Sequence, residues 1–175
     1  DLLHFGGGQT EALVELEQSG FRTDAETLAK MAGLTRTINQ YDLSHLITFH
    51  SRIKAASDFS NDFASLLDVL PPEHRLAKEH WSKHISGVMP AGTRRSILSD
   101  FRNLPDNQVG VLSNARCLNE GVDVPAIDGI AFIDPKRSKT NILQAVGRAI
   151  RKSGSGKVGT ILIPVFLDDG EDAEK

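Results

Sequence analysis

The sequence predicts an α/β fold, a parallel sheet flanked by helices, with a short helical extension at its amino end. Three observations carry this. Five short segments, at residues 45–49, 82–86, 109–112, 129–133 and 158–163, have the length and setting of buried strands. Segments with apolar residues three and four apart lie between them, and strands alternating with helices build parallel sheets. An apolar share of 39% and a charged share of 25% suit a chain that buries an ordinary core, and 175 residues suit one domain.

Residues 10–40 read as two or three short helices. The first spans 11–18, carries Leu13, Val14 and Leu16, and stops at Gly20. The second takes Thr23 or Asp24 as its N-cap, runs through Leu28 and Met31, and is expected to end at Gly33. Strand and helix then alternate. Residues 45–49 are an apolar strand, and 53–67 an amphipathic helix with Ala56, Phe59, Phe63, Leu66 and Leu67 inside, broken by Pro71-Pro72. Strand 82–86 stops at Gly87. Residues 93–102 form a helix on Ile97, Leu98 and Phe101, followed by strands 109–112 and 129–133. Ser138 caps a helix through Ile142, Leu143, Val146 and Ile150, and strand 158–163 closes the series. The expected organisation is a helical extension or connecting segment at 1–44 whose role is packing, a main lobe at 45–167, and an acidic tail at 168–175. In a parallel sheet, ligands gather outside the carboxyl ends of the strands.

Net charge is -3 with pI near 6.1, which argues weakly against a stand-alone nucleic-acid-binding module. The charge is unevenly spread, however. Acidic residues crowd the last eight positions, whereas Arg94, Arg95, Arg102, Arg116, Lys136, Arg137, Lys139, Arg148, Arg151 and Lys152 lie between 94 and 152. Cys117 is the only cysteine, which excludes an internal disulfide or a cysteine-based zinc site and suits a reducing cytoplasm. No apolar run approaches the roughly 18 residues of a bilayer span. The start has neither an initiator Met nor the pattern of a signal peptide, and the chain is expected to be an excised fragment.

Several apparent motifs fail on inspection. Gly154-Ser155-Gly156-Lys157 resembles part of a phosphate loop. The full pattern needs Gly where Arg151 stands and Ser or Thr where Val158 stands. Gly6-Gly7-Gly8 lacks the third glycine of a dinucleotide loop, since Glu11 occupies that place. His80 and His84 have the spacing of zinc ligands on a helix, but their surroundings read as strand and no carboxylate motif accompanies them. No metal site is assigned. Cys117 reads as a small core residue rather than a nucleophile.

The informative block runs from Val111 to Arg151. An apolar strand leads to Ser113-Asn114-Ala115-Arg116-Cys117-Leu118-Asn119-Glu120 and then to Gly121-Val122-Asp123-Val124-Pro125. Gly121 permits a turn or a close approach, and Asp123 can accept hydrogen bonds from a ribose hydroxyl or hold a water. Alone, this segment is equally an ordinary turn. Further on, Gln144, Gly147, Arg148 and Arg151 fall at helical offsets 0, 3, 4 and 7, and so line one face. Leu143, Val146 and Ile150 take the opposing stripe. Two guanidinium groups one turn apart, with Gly147 leaving space beside them, match the oxygens of a phosphoryl group. A solvated arginine pair explains the spacing less well, because Gln and Gly occupy the matching offsets.

The Gln-x-x-Gly-Arg-x-x-Arg helix resembles motif VI of superfamily 2 helicases, and Glu120-Gly121-Val122-Asp123-Val124-Pro125 resembles their motif V. Leu46-Ile47-Thr48-Phe49-His50-Ser51-Arg52 looks like motif IV, and Ser86-Gly87 with the Arg94, Arg95, Leu98, Phe101 helix is similar to the segment between. All four stand in order over residues 45–163. The wording of motif V, with Asp134-Pro135 after it, looks like the restriction-enzyme-like, predicted-helicase branch. It is less similar to the DEAD-box branch, where His-Arg stands in place of Gln144-Ala145.

The resemblance implies a RecA-like lobe of the P-loop NTPase type, the second of two. ATP and Mg2+ would be held mainly by the first lobe of the same polypeptide, which carries the phosphate loop and acidic motif missing here. Arg151 would be the finger directed at the γ-phosphate, Arg148 would assist it, and Gln144 and Gly147 would order the site. Gly121 and Asp123 would lie on the nucleotide side. Ser51, Arg52, Asn114 and Arg116 would approach a nucleic-acid backbone, DNA rather than RNA, in a cytoplasmic restriction-modification setting. Ala115 departs from the family, many of whose members place a phosphate-contacting Thr there. A catalytically silent lobe serving as an interaction module is the alternative, and it would not need Gln144, Arg148 and Arg151 together.

Overall fold

The computed structural model describes residues 25–70, 75–115, 117, 127–134 and 160–162. Its elements in chain order are α1 (Ala25–Tyr41), β1 (His45–Phe49), α2 (Ile53–Val69), β2 (Glu79–Ser86), α3 (Ala91–Arg102), β3 (Gln108–Ala115), β4 (Gly129–Phe132) and β5 (Thr160–Leu162). The five strands form one sheet in the order β2-β3-β1-β4-β5. Every neighbouring pair is parallel. This is the α/β arrangement the alternation predicts. The predicted helices at 11–18 and 138–150 lie outside the described residues.

Alternation along each strand builds two cores, one on each face of the sheet. Leu46, Val109, Val111 and Ala131 meet Leu28, Met31, Leu34 and Ile38 of α1 and Phe59, Phe63, Leu66 and Leu67 of α2. Ile47, Leu112, Ile130 and Phe132 point the other way, with Ile85, and pack on Phe101 of α3. Helices on both faces explain why the central strands are buried throughout, as parallel strands normally are. Two glycines let the layers approach. A Cβ at Gly110 would stand 2.8 Å from two carbons of the Phe101 ring, and one at Gly129 would collide with Leu46 and Leu43.

α1 does not stop at Gly33, as its sequence suggests, but runs on to Tyr41. The apolar stripe decides this, since Leu34 and Ile38 continue the face begun by Leu28 and Met31 and are buried. Thr35 and Thr37, poor helix formers, donate their hydroxyls to the carbonyls of Met31 (3.0 Å) and Gly33 (2.8 Å). The true stop is Asp42, whose φ of 48° is left-handed. Leu43 N–H then bonds to Ile38 O at 3.0 Å, closing a Schellman turn in which Leu43 and Ile38 share the core. Within the described residues, α1 is thus packed into the lobe, while the rest of the 1–44 segment lies outside them.

α2 extends two residues beyond prediction and ends at Leu70, which is extended at φ -62°, ψ 143°. Proline at 71 forbids the helical conformation to the residue before it. β2 and β3 are longer than their apolar runs. In β3 the polar pair Ser113 and Asn114 continues the strand and is buried. β2 carries His80 and His84, and strand geometry puts them ~13 Å apart, unlike the same spacing on a helix. At the amino edge of the sheet the Asp128 carboxylate accepts Ser44 N–H and His45 N–H, both at 2.8 Å. Its own backbone bonds to His45 O and to Thr160 N–H, fixing the starts of β1, β4 and β5 together. Among the described residues no helix is long and apolar enough to cross a membrane.

Candidate functional site

Because all strands run the same way, their carboxyl ends share one edge of the sheet. There Phe49 of β1 is in register with Asn114 of β3 on one side and Phe132 of β4 on the other. The chain leaving β1 stays pinned for two residues. His50 N–H bonds to Asn114 O at 2.9 Å, and Ile133 N–H bonds to Phe49 O at 3.1 Å. At Ser51 the pairing passes from backbone to side chain, and Asp134 takes over. One carboxylate oxygen, Oδ2, accepts both Ser51 N–H and Ser51 Oγ–H at 3.0 Å.

Arg52 follows as the N-cap of α2. It is extended (φ -130°, ψ 147°), its side chain makes no capping bond, and the first turn of the helix holds no acidic residue. Its carbonyl accepts Ala56 N–H at 3.1 Å, and its side chain is exposed. The Arg52 side chain is thus exposed at a helix start, where negative charge is favoured.

Asn114 is different. Its side chain is buried, and Oδ1 accepts Cys117 N–H at 3.2 Å, holding the turn after β3. Cys117 is buried, and burial pushes its thiol pKa up against the opposing charge of Arg94. A thiol held protonated is no nucleophile, which agrees with its reading as a core residue. Arg94 itself ties down the loop between β2 and α3 by donating to Gly87 O (3.1 Å) and Met89 O (2.6 Å).

Beneath this edge runs a buried polar relay. Thr48 Oγ1 donates to Ser113 Oγ at 3.0 Å and lies 2.9 Å from His50 Nε2. The Thr48 hydroxyl thus links the imidazole to Ser113. His50 packs on the Phe59 ring, with centroids 5.0 Å apart. Burial lowers its pKa to about 4, against the pull of Asp134 and with a further push from Lys30, so the imidazole is neutral.

The expected track residues Ser51, Arg52 and Asn114 are thus brought to one edge, with Arg52 outermost and Asn114 inside. Arg116, Gly121, Asp123, Gln144, Gly147, Arg148 and Arg151 lie outside the described residues. Sequence reasoning missed Asp134, Thr48 and His50 as shaping groups. A signal for Asp134 existed, because it stands directly after the apolar run of β4, where ligand-facing polar residues belong. Among the described residues no group of three His, Cys, Asp or Glu could hold a metal ion.

A family model described as the helicase conserved C-terminal domain matches residues 29–153. The putative ATP-dependent helicase IRC3 of Saccharomyces cerevisiae is 23% identical over 179 residues, covering 90% of this chain and 25% of its own length. The ATP-dependent RNA helicase DDX55 of Danio rerio is 24% identical over 179 residues, covering 92% of this chain and 30% of its own. The chain thus spans a quarter to three-tenths of these curated relatives. Among solved structures, the ATP-dependent Type ISP restriction-modification enzyme LlaBIII bound to DNA superposes with a TM-score of 0.77 at 24% identity, over 94% of this chain and 11% of that one. The E. coli DEAD-box protein SrmB gives a TM-score of 0.59 at 19% identity, over 78% and 70%.

Proposed function

Because the chain belongs to the helicase conserved C-terminal domain family, the second RecA-like lobe of superfamily 2 helicases, we propose that it serves as the second motor lobe of an ATP-dependent translocase or helicase. The observation that carries this reading is the shared carboxyl edge, where the ends of β1 and β3 bring Ser51, Arg52 and Asn114 together. Arg52, exposed at an uncapped helix start, is the group suited to a phosphate. Arg116 extends the track, Ser51 holds the turn that presents Arg52, and Asn114 shapes the edge from inside. Contacts of this kind hold a strand without reading its sequence.

The nucleotide side is read from the motif residues. The donor set fits ATP: on a helix, the spacing of Gln144, Gly147, Arg148 and Arg151 would put them on one face, and guanidinium forks match phosphate oxygens. ATP, bound with Mg2+ mainly by the first lobe, supplies the phosphoryl transfer that drives the cycle. Arg151 stabilises the charge that spreads over the phosphoryl oxygens, with Arg148 beside it. Gly121 and Asp123 complete the nucleotide face of the lobe. We read residues 45–167 as the lobe proper, 1–44 as an extension packed on it, and 168–175 as a solvated tail. The likeness to LlaBIII, whose structure is bound to DNA, supports reading the substrate as DNA and the setting as restriction-modification. The single cysteine suits a cytoplasmic setting.

Substitution Arg151→Ala in the full-length protein tests the finger. The expected result is nucleic-acid-stimulated ATP hydrolysis reduced by about 10³-fold or more, with ATP binding largely kept. Wild-type turnover in this variant would refute the assignment.

A further inference from the structure

The turn that presents Arg52 is held by a residue from the far side of β1, Asp134 after β4. β1 ends at Phe49, and its backbone pairing is exhausted once His50 N–H has bonded to Asn114 O and Ile133 N–H to Phe49 O. The next amide, that of Ser51, turns to a side chain instead of to a backbone carbonyl. Asp134 supplies the acceptor, and its Oδ2 takes the Ser51 amide and hydroxyl together, both at 3.0 Å. Both donors of Ser51 are thereby consumed. A hydroxyl whose proton already belongs to a carboxylate cannot donate to a phosphate, which accepts only. What the arrangement fixes instead is backbone. With Ser51 anchored, Arg52 is left extended at the N-cap and its guanidinium is carried into solvent at the start of α2.

We propose that Asp134 is the positioning residue of the nucleic-acid track: by clamping both donors of Ser51 it aims Arg52 at the phosphate backbone, and Ser51 acts as its strut rather than as a phosphate ligand. This rests on the motor-lobe reading above. It also makes a prediction opposite in sign to simple electrostatics. Removing a carboxylate from beside a polyanion's path should tighten binding through charge alone. Removing a clamp should weaken it.

The test uses the full-length protein and measures ATP hydrolysis against the concentration of single-stranded oligo-deoxythymidine, with oligo-uridine in parallel. Asp134→Ala is expected to raise the half-saturating oligonucleotide concentration roughly tenfold, the loss of a charge-assisted bond, while turnover at saturation stays within about twofold. Asp134→Asn keeps an acceptor at the same reach and is expected to restore near-wild-type half-saturation. Asp134→Glu keeps the charge but shifts it by a methylene and is expected to weaken binding. Ser51→Ala, which leaves the amide bond in place, is expected to cost only about twofold to threefold. Should the alanine variant fail to fold, the Asn and Glu variants decide alone. A Glu variant equal to wild type, or an Ala or Asn variant that binds tighter than wild type, overturns the clamp. So does a loss of turnover at saturation as large as the loss of affinity. If neither polymer stimulates the wild-type protein, the motor-lobe reading itself fails, and Asp134 has no track to position.

Discussion

His50 is one residue from the proposed track, yet its chemistry points inward. It is buried, neutral, and packed on Phe59, with its Nε2 against Thr48 and Thr48 in turn against Ser113. A ring whose pKa is near 4 when folded and 6.5 when unfolded binds its proton preferentially in the unfolded chain. The stability it contributes is therefore complete above pH ~6.5 and is lost as pH falls toward ~4, roughly 3 kcal/mol over that window. Urea denaturation across that range checks this, with His50→Gln expected to flatten the slope. An unchanged slope in the variant would place the acid sensitivity elsewhere. Here the sequence was legible in part. His50, Ser51 and Arg52 were readable as a motif. Their partners were not, because Asp134 lies 83 residues along the chain and Ser113 lies 65 from Thr48.

At the scale of elements, the legible parts are those where one periodicity rules. β1 is an apolar run of five residues, and α2 carries its core residues three and four apart. The parts that resisted are those where tertiary context overrides local preference. Gly33 looks like a helix stop, but Leu34 and Ile38 gain more from the core than the glycine loses in backbone entropy. Asp42 stops the helix without looking like a stop, since few residues other than glycine take a left-handed φ. Ser113 and Asn114 hide the end of β3 because buried polar residues in a strand read as loop. The weight of α1 can be measured directly. Leu34 is fully buried, and Leu34→Ala is expected to destabilise the lobe by about 2–5 kcal/mol in chemical denaturation. A loss below about 0.5 kcal/mol would show α1 to be an appendage.

At the scale of the whole molecule, the lobe holds the arginines of the proposed motor but no phosphate loop or acidic magnesium motif. The 175-residue chain alone is accordingly expected to show no ATP hydrolysis above background, with or without nucleic acid. Addition of a lobe carrying those motifs should restore it. Intrinsic turnover by the isolated chain, measured as phosphate release, would contradict the division of labour proposed for the two lobes.

The sheet order has a consequence for how such a molecule comes into being. β1 sits at the centre, yet both of its neighbours are made long after it. Its Thr48 waits 65 residues for Ser113, and its Ser44 waits 84 for the Asp128 clamp. At synthesis rates of about 5–20 residues per second, the strand His45–Phe49 spends several seconds without either partner. Of the described helices, α1 and α2 are the first able to cover it meanwhile, through Met31, Leu34, Phe59 and Phe63. In a nascent chain the two helices would act as a temporary sheath, guarding an apolar segment from other chains until the sheet closes around it.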